Sequence, residues 1–303
     1  MTKNILVVNG GYSDEAEVSR KTADNVNKAL ISKGYKTKLI EVNNNFLPWL
    51  LKNKSNVDII FNALHGPWGE DGKIQGLFEY IGIPYTHSGV TASALGMNKQ
   101  LAKNIFSSNG ILVPKGKTIN ENALINKDPY KRPYIIKPVS EGSSLGIHLI
   151  KKETDIKKIT HGLKLENFMV EEFIAGNDIT VALIDGKPIG MIEIINKKDI
   201  YSYNEKYKSK NTEYVIPKDI DSKLEEKILT FSKKSYKSLN CDGIARVDFR
   251  LNRDSKEEKV HLLELNTQPG LTVDSLFPKI AKSAGITFPD LVEWIINNAG
   301  LKK

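Results

Sequence analysis

Cysteine is almost absent from this chain, and apolar runs long enough to cross a membrane are absent altogether. The single cysteine among 303 residues, Cys241, cannot form an internal disulfide or a thiolate-rich zinc site. Apolar stretches such as Ile5–Val8 end far short of the ~20 residues that a membrane span needs. The first residues also lack the basic-then-apolar pattern of a secretory signal, because a short strand-like run is closed by Gly10 and Gly11. These absences predict a cytoplasmic protein that does not enter a membrane.

Acidic residues are the minority among the charged side chains. The chain has 44 Lys and Arg against 36 Asp and Glu, which gives a net charge of +8. Such an excess can indicate nucleic-acid binding, but it also suits an anionic metabolite. The lysines are spread along the chain without any base-reading or base-stacking motif, so we expect no nucleic-acid partner. The 40% hydrophobic share predicts a folded globular protein, and the length predicts two or three subdomains.

Short apolar runs alternate with helical patterns in the first third of the chain. The predicted elements there are strand Asn4–Asn9, helix Glu17–Lys33, strands Lys36–Val42 and Val57–Ala63, helix Gly72–Ile81 and strand Ile83–Tyr85. This alternation favours a parallel α/β sheet. Ligands of such sheets bind beyond the carboxyl ends of the strands, where Gly10–Gly11 and His65–Gly66 fall. Both pairs are therefore candidate site loops.

The remainder of the chain predicts two α+β regions. The predicted strands are Pro133–Pro138, Gly146–Lys151, Phe168–Ile174, Ile179–Ile184, Ile189–Ile195, Ile244–Leu251 and Lys259–Leu265, and the predicted helices are Asn98–Asn109, Ser222–Ser238 and Pro289–Asn298. We divide the chain into domains at residues 1–95, 96–186 and 187–303. The polar, aromatic stretch Asp199–Pro217 has no clear period, and long loops of this kind are usually functional lids.

The strongest chemical signal comes from two strands in the last third. Arg246 and Asp248 share one face of a predicted strand, and Glu264 and Asn266 share one face of the next. Antiparallel pairing would aim all four side chains at one spot. Two carboxylates and an amide oxygen are hard ligands suited to Mg²⁺, which takes part of its shell from substrate phosphates. A surface hairpin with solvated charges is the alternative, but the turn from Asn266 to Gly270 would bring backbone N–H groups close to a ligand.

Three further features indicate nucleotide contacts, but more weakly. Lys137 ends a strand and precedes a Gly/Ser-rich loop that reaches Gly146, so amides, hydroxyls and a cation could meet phosphate oxygens. Lys99 at the start of a helix adds a second cation. The segment Val170–Ile174, followed by Asp178, could line an adenosine pocket. The alternatives are a plain hairpin, a solubilising lysine and an edge strand with charged gatekeepers.

Taken in order, these segments resemble the D-alanine–D-alanine ligases of the ATP-grasp superfamily. The motifs that carry the resemblance run through nearly the whole chain: Gly10–Ser19, Ala63–Gly66, Gly69–Gly72, Gly82–Tyr85, Met97–Lys99, Lys137–Gly146, Glu205–Tyr207, Arg246–Asp248, Glu264–Gly270 and Ser275–Leu276. The resemblance implies the ATP-grasp fold, α/β in class and α+β overall. In that fold an N-terminal parallel α/β substrate-binding domain is followed by a central lid domain and a C-terminal domain that together clamp ATP.

The resemblance also implies a role for each matching residue. It implies ATP contacts at Lys99, Lys137, Lys206, Glu171, Phe173, Ile174 and Asp178. It implies Mg²⁺ or Mn²⁺, two ions, at Asp248, Glu264 and Asn266, with Glu264 bridging them. The catalytic set that it implies is Glu15, Ser143, Tyr207, Arg246 and Gly270, and the substrate contacts are Val18, His65, Ser275 and Leu276. Arg246 and the Gly270 N–H are the expected oxyanion donors.

The implied reaction is the ATP-dependent joining of two D-alanines for peptidoglycan synthesis, in a cytoplasmic homodimer. Three positions depart from the pattern: Asn98 where Asp is usual, Asp178 where Glu is more frequent, and Pro67–Trp68 where small residues are common. The nearest alternative is a ligase that uses D-lactate as second substrate, and Tyr207 favours the dipeptide over it. Another ATP-grasp ligase and a non-catalytic nucleotide- or nucleic-acid-binding protein are the remaining alternatives.

Overall fold

Three sheets and the helices packed against them make up the described part of the chain. This computed structural model describes residues 3–119, 128–160, 168–195, 200, 212–217, 220–252 and 259–301. The helices are α1 (Ala16–Ser32), α2 (Phe46–Asn53), α3 (Lys73–Ile81), α4 (Val90–Met97), α5 (Lys99–Ser108), α6 (Ile156–Thr160), α7 (Ser222–Ser238), α8 (Leu276–Ser283) and α9 (Phe288–Asn297). The strands are β1 (Asn4–Gly10), β2 (Lys36–Val42), β3 (Ile59–Asn62), β4 (Gly116–Ile119), β5 (Tyr134–Pro138), β6 (His148–Ile150), β7 (Phe168–Glu172), β8 (Asn177–Ile184), β9 (Lys187–Ile195), β10 (Glu213–Val215), β11 (Ile244–Asn252) and β12 (Lys259–Asn266).

The first sheet is parallel, with strand order β2–β1–β3. Its central strand β1 is buried from Ile5 onward, because its run of apolar residues is covered on both faces. Gly10 ends the strand with φ +74°, a conformation that few other residues adopt, and the chain turns there toward α1. The predicted parallel α/β sheet is confirmed, and its carboxyl edge carries the Gly10–Gly11 and His65–Gly66 loops.

The second sheet is antiparallel, with strand order β4–β7–β5–β6. In its register Ile135 lies opposite Glu171, and Lys137 lies opposite Met169. Side chains two residues apart on a strand share a face, so Lys137 and Glu171 point to the same side of this sheet. That side faces the third sheet.

The third sheet is also antiparallel, with strand order β10–β9–β8–β11–β12. On one face of β11 the side chains of Val247, Phe249 and Leu251 are fully buried against α5 and α7. The polar side chains of β11 alternate with them and occupy the other face. The predicted alternation, and the antiparallel pairing of β11 with β12, are confirmed.

One hydrophobic core joins the two ends of the chain. It packs β1, β3 and α1 against residues of β8, β9, α8 and α9, among them Phe277 and Leu291. The predicted division into three domains stays a prediction, and its boundary at residues 186 and 187 falls in the turn between β8 and β9 of one sheet. Within the described ranges, no helix combines the length and apolar character that crossing a membrane requires.

Candidate active site

A large cavity lies where the three sheets meet, and it gathers the residues selected from the sequence. The predicted site residues that line it are Glu15, Val18, His65, Lys99, Lys137, Ser143, Glu171, Phe173, Ile174, Asp178, Arg246, Asp248, Glu264, Asn266, Gly270, Ser275 and Leu276. The other two, Lys206 and Tyr207, lie outside the described residues, as does most of the predicted lid at 199–217.

Strands β11 and β12 bring four polar side chains together on one wall of the cavity. In the register Arg246 lies opposite Asn266, and Asp248 lies opposite Glu264. The Arg246 guanidinium donates to both carboxylate oxygens of Asp248, with Nε–Oδ1 at 2.9 Å and Nη2–Oδ2 at 2.8 Å. Its Nη2 also lies 3.7 Å from Glu264 Oε1. Thr180 on β8 donates to Asp248 Oδ1 at 2.7 Å, so the carboxylate is held from two strands.

The side chains on this wall fit a divalent cation by their chemistry. Asp248, Glu264 and Asn266 offer two carboxylates and an amide oxygen on adjacent strands, which are the donors that Mg²⁺ and Mn²⁺ prefer. In the described part of the chain, no three His, Cys, Asp or Glu side chains are grouped to hold a metal ion. Only two such residues belong to the predicted set. Phosphate oxygens and water would therefore supply the rest of the coordination.

Two buried lysines, Lys99 and Lys137, form a lysine wall of the same cavity, and Lys103 is buried close to Lys137. Lys137 and Lys103 each contact one carboxylate oxygen of Glu171, at 2.6 Å and 2.5 Å. Lys99 donates to the Glu141 carbonyl at 2.5 Å and lies 3.7 Å from Glu264 Oε2. Burial lowers the pKa of Lys99 and of Lys103, although nearby carboxylates oppose the shift. Burial would raise the pKa of Glu171, but the charges of Lys137 and Lys103 outweigh it, and the net shift is downward.

A glycine makes room for the ammonium group of Lys103. A Cβ atom at Gly116 on β4 would lie 3.0 Å from Lys103 Nζ and 2.8 Å from the Val170 carbonyl oxygen. Both approaches are closer than a Cβ tolerates without displacement of its neighbours. The contact between Lys103 and Glu171 thus depends on the missing side chain at this position.

Glu15 directly precedes α1, and its side chain enters the cavity. Two glycine-containing loops lie close to its carboxylate. The Ser143 hydroxyl donates to Glu15 Oε1. A Cβ at Gly142 would lie 2.5 Å from Glu15 Oε2, and one at Gly66 would lie 2.7 Å from the same atom. Ser143 itself has φ +50°, so the loop after β5 bends sharply to place its hydroxyl. The structure therefore brings Ser143 and Glu15, two members of the predicted catalytic set, into contact.

His65 is held by partners on both ring nitrogens. Its Nδ1 lies 2.7 Å from Glu70 Oε1, and its Nε2 lies 3.0 Å from Thr22 Oγ1. Burial would lower the pKa of His65, but its hydrogen bond to Glu70 and the charges of Glu70 and Glu15 outweigh burial and raise it. The surroundings of the ring therefore favour its charged form over its neutral form, relative to a histidine in water.

The turn after β12 places the last group of predicted residues. Ser275 is the N-cap position of α8, and its hydroxyl accepts from the Thr272 N–H at 3.1 Å. Gly270 approaches closely, since a Cβ there would lie 3.0 Å from Ser275 Oγ. Buried Gln268 fastens this turn to the N-terminal sheet. Its side chain accepts from Asn62 Nδ2 at 2.9 Å and donates to the Leu64 carbonyl.

The three departures from the family pattern have structural accounts. Asn98 caps α5, and its side chain accepts from the Leu101 N–H at 3.0 Å, a role that Asp fills equally well. Trp68 is half exposed, and its ring lies edge-on to Tyr12 with centroids 5.9 Å apart. Asp178 forms an ion pair with Arg250 at 2.8 Å.

Sequence reasoning missed several residues that hold this site together. Lys103 lies four residues after Lys99 on α5, and helical spacing alone could have placed both on one face. Arg250 follows Asp248 by two residues, so the alternation used for β11 could have found it. The contacts of Thr180 and Gln268 depend on distant segments, and no local pattern predicts them.

Fold and site together define a class of protein. Two antiparallel sheets enclose a cavity with buried lysines on one wall and paired carboxylates with an arginine on the other. This is the arrangement of an ATP-dependent ligase with the ATP-grasp fold.

Known proteins are similar to this chain along its whole length. Family models described as D-ala D-ala ligase C-terminus and N-terminus match residues 111–297 and 47–88. The D-alanine–D-alanine ligase of Rickettsia typhi is 40% identical over 302 residues, which cover 99% of this chain and 93% of that protein. That of Pelagibacter ubique is 40% identical over 313 residues and covers 100% of both. A crystal structure of the Bacillus anthracis D-alanine–D-alanine ligase complexed with ATP superposes with TM-score 0.81 at 28% identity, over 98% of this chain and 97% of that one. The chain belongs to the D-alanine–D-alanine ligase family.

Proposed function

We propose that this enzyme joins two D-alanines through an acyl phosphate, with ADP and phosphate as the other products. The dipeptide D-alanyl-D-alanine then serves peptidoglycan precursor synthesis. The observation that carries the proposal is the convergence of Arg246, Asp248, Glu264 and Asn266 in the cavity that the buried Lys99 and Lys137 also line. This arrangement suits a reaction in which a phosphoryl group and an anionic intermediate must both be neutralised.

The first D-alanine is proposed to bind beside Glu15. Its ammonium group would pair with the Glu15 carboxylate, which Ser143 already contacts, and Val18 and His65 would line the same pocket. The raised pKa of His65 favours the charged ring, which would suit the carboxylate of the substrate. Because that carboxylate is a poor electrophile, its oxygen must first attack the γ-phosphate of ATP.

ATP is proposed to lie along the lysine wall. Lys99 and Lys137 would neutralise the phosphates, and the expected third cation, Lys206, lies outside the described residues. Phosphoryl transfer depends mainly on positioning and on charge neutralisation, which buried cations supply. The adenosine contacts in this proposal are Glu171, Phe173, Ile174 and Asp178, which line the same cavity.

Asp248, Glu264 and Asn266 are the proposed holders of two Mg²⁺ or Mn²⁺ ions. When bound, such ions neutralise phosphate charge and polarise the transferred phosphoryl group. The chain's own contribution is to present three oxygen donors from adjacent strands and to hold Asp248 from β8 through Thr180.

The second D-alanine attacks the acyl phosphate as a neutral amine, after a proton has left its ammonium group. Negative charge then gathers on the former carbonyl oxygen, and we propose that Arg246 and the Gly270 N–H stabilise it. Ser275 and Leu276 would contact this second substrate. Water would hydrolyse the acyl phosphate, so a lid over residues 199–217 that includes Tyr207 completes the proposal.

Parallel assays of ADP release with D-alanine, L-alanine and D-lactate test this function. We expect rapid release with D-alanine alone and a product with the mass of the dipeptide. Release with L-alanine should be negligible. Equal or faster ester formation when D-lactate is added would favour the ester-forming alternative, and release without any joined product would contradict the ligase reaction.

The domain division at residues 95 and 186, a homodimer and a cytoplasmic location remain parts of the same proposal. They are supported by the resemblance set out above. Limited proteolysis, sedimentation at several protein concentrations and cell fractionation test them in turn.

A further inference from the structure

Arg250 is a buried cation in the cavity to which no role has yet been given. It lies on β11 two residues after Asp248, on the same face of the strand, and it is 7% exposed. Its side chain points at the turn between β7 and β8. Nε donates to the Ile174 carbonyl at 3.0 Å, and Nη1 donates to Asp178 Oδ2 at 2.8 Å.

The turn at residues 173–176 joins the end of β7 to the start of β8, where Asn177 and Asp178 pair with Leu251 and Arg250 of β11. The Arg250 guanidinium carbon lies 5.8 Å from the centre of the Phe173 ring, so one side chain contacts three positions of the segment 173–178. Gly176 packs directly on β11, since a Cβ there would lie 1.9 Å from the Leu251 carbonyl oxygen. The strand ladder holds residues 177 and 178 against β11, and the backbone of Gly176 packs on Leu251. Arg250 adds side-chain contacts to Phe173, Ile174 and Asp178.

We propose that Arg250 is a positioning residue for the nucleotide. It fixes Phe173 and Ile174 of the turn beside β11 and orients the Asp178 carboxylate to accept hydrogen bonds from the ribose hydroxyls of ATP. This inference rests on the proposed role of Phe173, Ile174 and Asp178 in ATP binding. A paired carboxylate offers acceptors only, which suits the hydroxyl donors of a ribose.

The chemistry of the guanidinium explains why an arginine stands at this position. Its planar fork reaches the Ile174 carbonyl and the Asp178 carboxylate at the same time, and it stacks near an aromatic ring. A lysine ammonium at the same place would keep the charge but could not span both acceptors in that geometry. Arginine and lysine at position 250 are therefore expected to give different KM values for ATP.

Four variants test the inference: Arg250→Met, Arg250→Lys, Asp178→Asn and the double variant Arg250→Met with Asp178→Asn. Arg20→Met is the matched control, because Arg20 is an exposed arginine that pairs with Glu41 outside the cavity. The measurements are kcat and KM for ATP, for 2′-deoxy-ATP and for 3′-deoxy-ATP. The melting temperature of each variant is recorded with and without ATP.

We expect Arg250→Met to raise KM for ATP about tenfold while kcat at saturating ATP stays within about threefold. Arg250→Lys should recover only part of the loss. The wild-type enzyme should prefer ATP over at least one deoxy analogue, and Arg250→Met should lose most of that preference. The double variant should be no worse than the more impaired single variant, because both changes remove one contact.

A KM for ATP within twofold of wild type in Arg250→Met or Arg250→Lys, with the ribose preference intact, would overturn the inference. The inference would also be overturned if Arg250→Met had a lower melting temperature but ATP raised that temperature as much as it does in the wild type. That result would show a purely structural role for Arg250. If Arg250→Met cannot be purified folded, Arg250→Lys decides the matter. If Asp178→Asn raises KM for ATP and the Arg250 variants do not, the positioning role of Arg250 is refuted, whereas the ribose contact of Asp178 is not. Wild-type behaviour of Asp178→Asn would remove the proposed ribose contact, and the inference with it.

Discussion

Arg246 combines two tasks at the scale of a single side chain. It holds Asp248 through three hydrogen bonds in the structure, and in the proposed mechanism it also meets the oxyanion. We predict that Arg246→Ala lowers kcat about 10²-fold or more, because an oxyanion donor acts mainly in the transition state. KM for ATP should change little. Steady-state kinetics check this prediction. If kcat of the variant is less than tenfold below the wild-type value, the oxyanion role is contradicted.

Lys103 should matter for stability as well as for ATP binding. We predict that Lys103→Met lowers the free energy of unfolding by about 1.5–3 kcal/mol, because it removes one charge-assisted hydrogen bond to buried Glu171, which Lys137 still neutralises. KM for ATP should rise, since Lys137 is then drawn more strongly to Glu171. Denaturant unfolding and initial rates measure the two effects.

Lys21→Met is the control for this change, because Lys21 pairs with Glu17 on the exposed side of α1. Its unfolding free energy and kinetics should match the wild type. If Lys103→Met behaved in the same way, the buried ion pair between Lys103 and Glu171 would have no measurable role.

The contribution of His65 to the free energy of unfolding should depend on pH in a defined direction. Its pKa is raised in the folded protein, so the charged ring contributes stability that is fully present below the unfolded value of about 6.5 and is lost as pH rises through the folded value. We predict that the difference in unfolding free energy between the wild type and His65→Gln is larger at about pH 6 than at about pH 9. Equal differences at both pH values would show that Glu70 does not stabilise the charged ring.

At the scale of elements, the loop after β5 depends on a missing side chain. We predict that Gly142→Ala raises KM for the first D-alanine about tenfold or more, because its Cβ would press on Glu15 and separate that residue from Ser143. KM for ATP should change less. Gly76→Ala is the control: Gly76 lies inside α3, and its new Cβ would have 4.0 Å to its nearest neighbour. That variant should keep wild-type kinetics.

Elements with a clear period were predictable from the sequence, and short ones were not. Helix α7 has the predicted bounds, because Leu224, Ile228 and Phe231 recur at helical spacing along one buried face. Helix α4 was missed, since it is short and its small apolar residues do not form one clear stripe. Strand β4 was missed because its few residues show no alternation, and its pairing with β7 fixes it.

In the site too, residues that follow a periodic pattern were predictable and the others were not. Alternation on β11 and β12 predicted the wall of Arg246, Asp248, Glu264 and Asn266, since strand geometry dictates which side chains share a face. The buried side chains that contact the carboxylates of the site could not be predicted. Whether Thr180 or Lys103 reaches a carboxylate depends on how separate sheets pack, which one sequence does not reveal.

The whole molecule should unfold as one unit, because the largest described core joins both ends of the chain. We predict that Ile296→Ala on α9 lowers the free energy of unfolding by about 2–5 kcal/mol, since Ile296 is fully buried. Tryptophan fluorescence and circular dichroism should report the same transition. Ile31→Ala is the control, because Ile31 on α1 is 56% exposed. Separate transitions would show that the N-terminal region unfolds independently.

The buried amide of Gln268 has a consequence for substrate selectivity. It joins the segment before His65 to the turn that carries Gly270, so the two proposed amino-acid pockets are connected through one side chain. A substitution that widens the pocket for the second amino acid should then also alter the choice of the first. Directed evolution toward mixed dipeptides would have to change both pockets together, or replace the linkage itself.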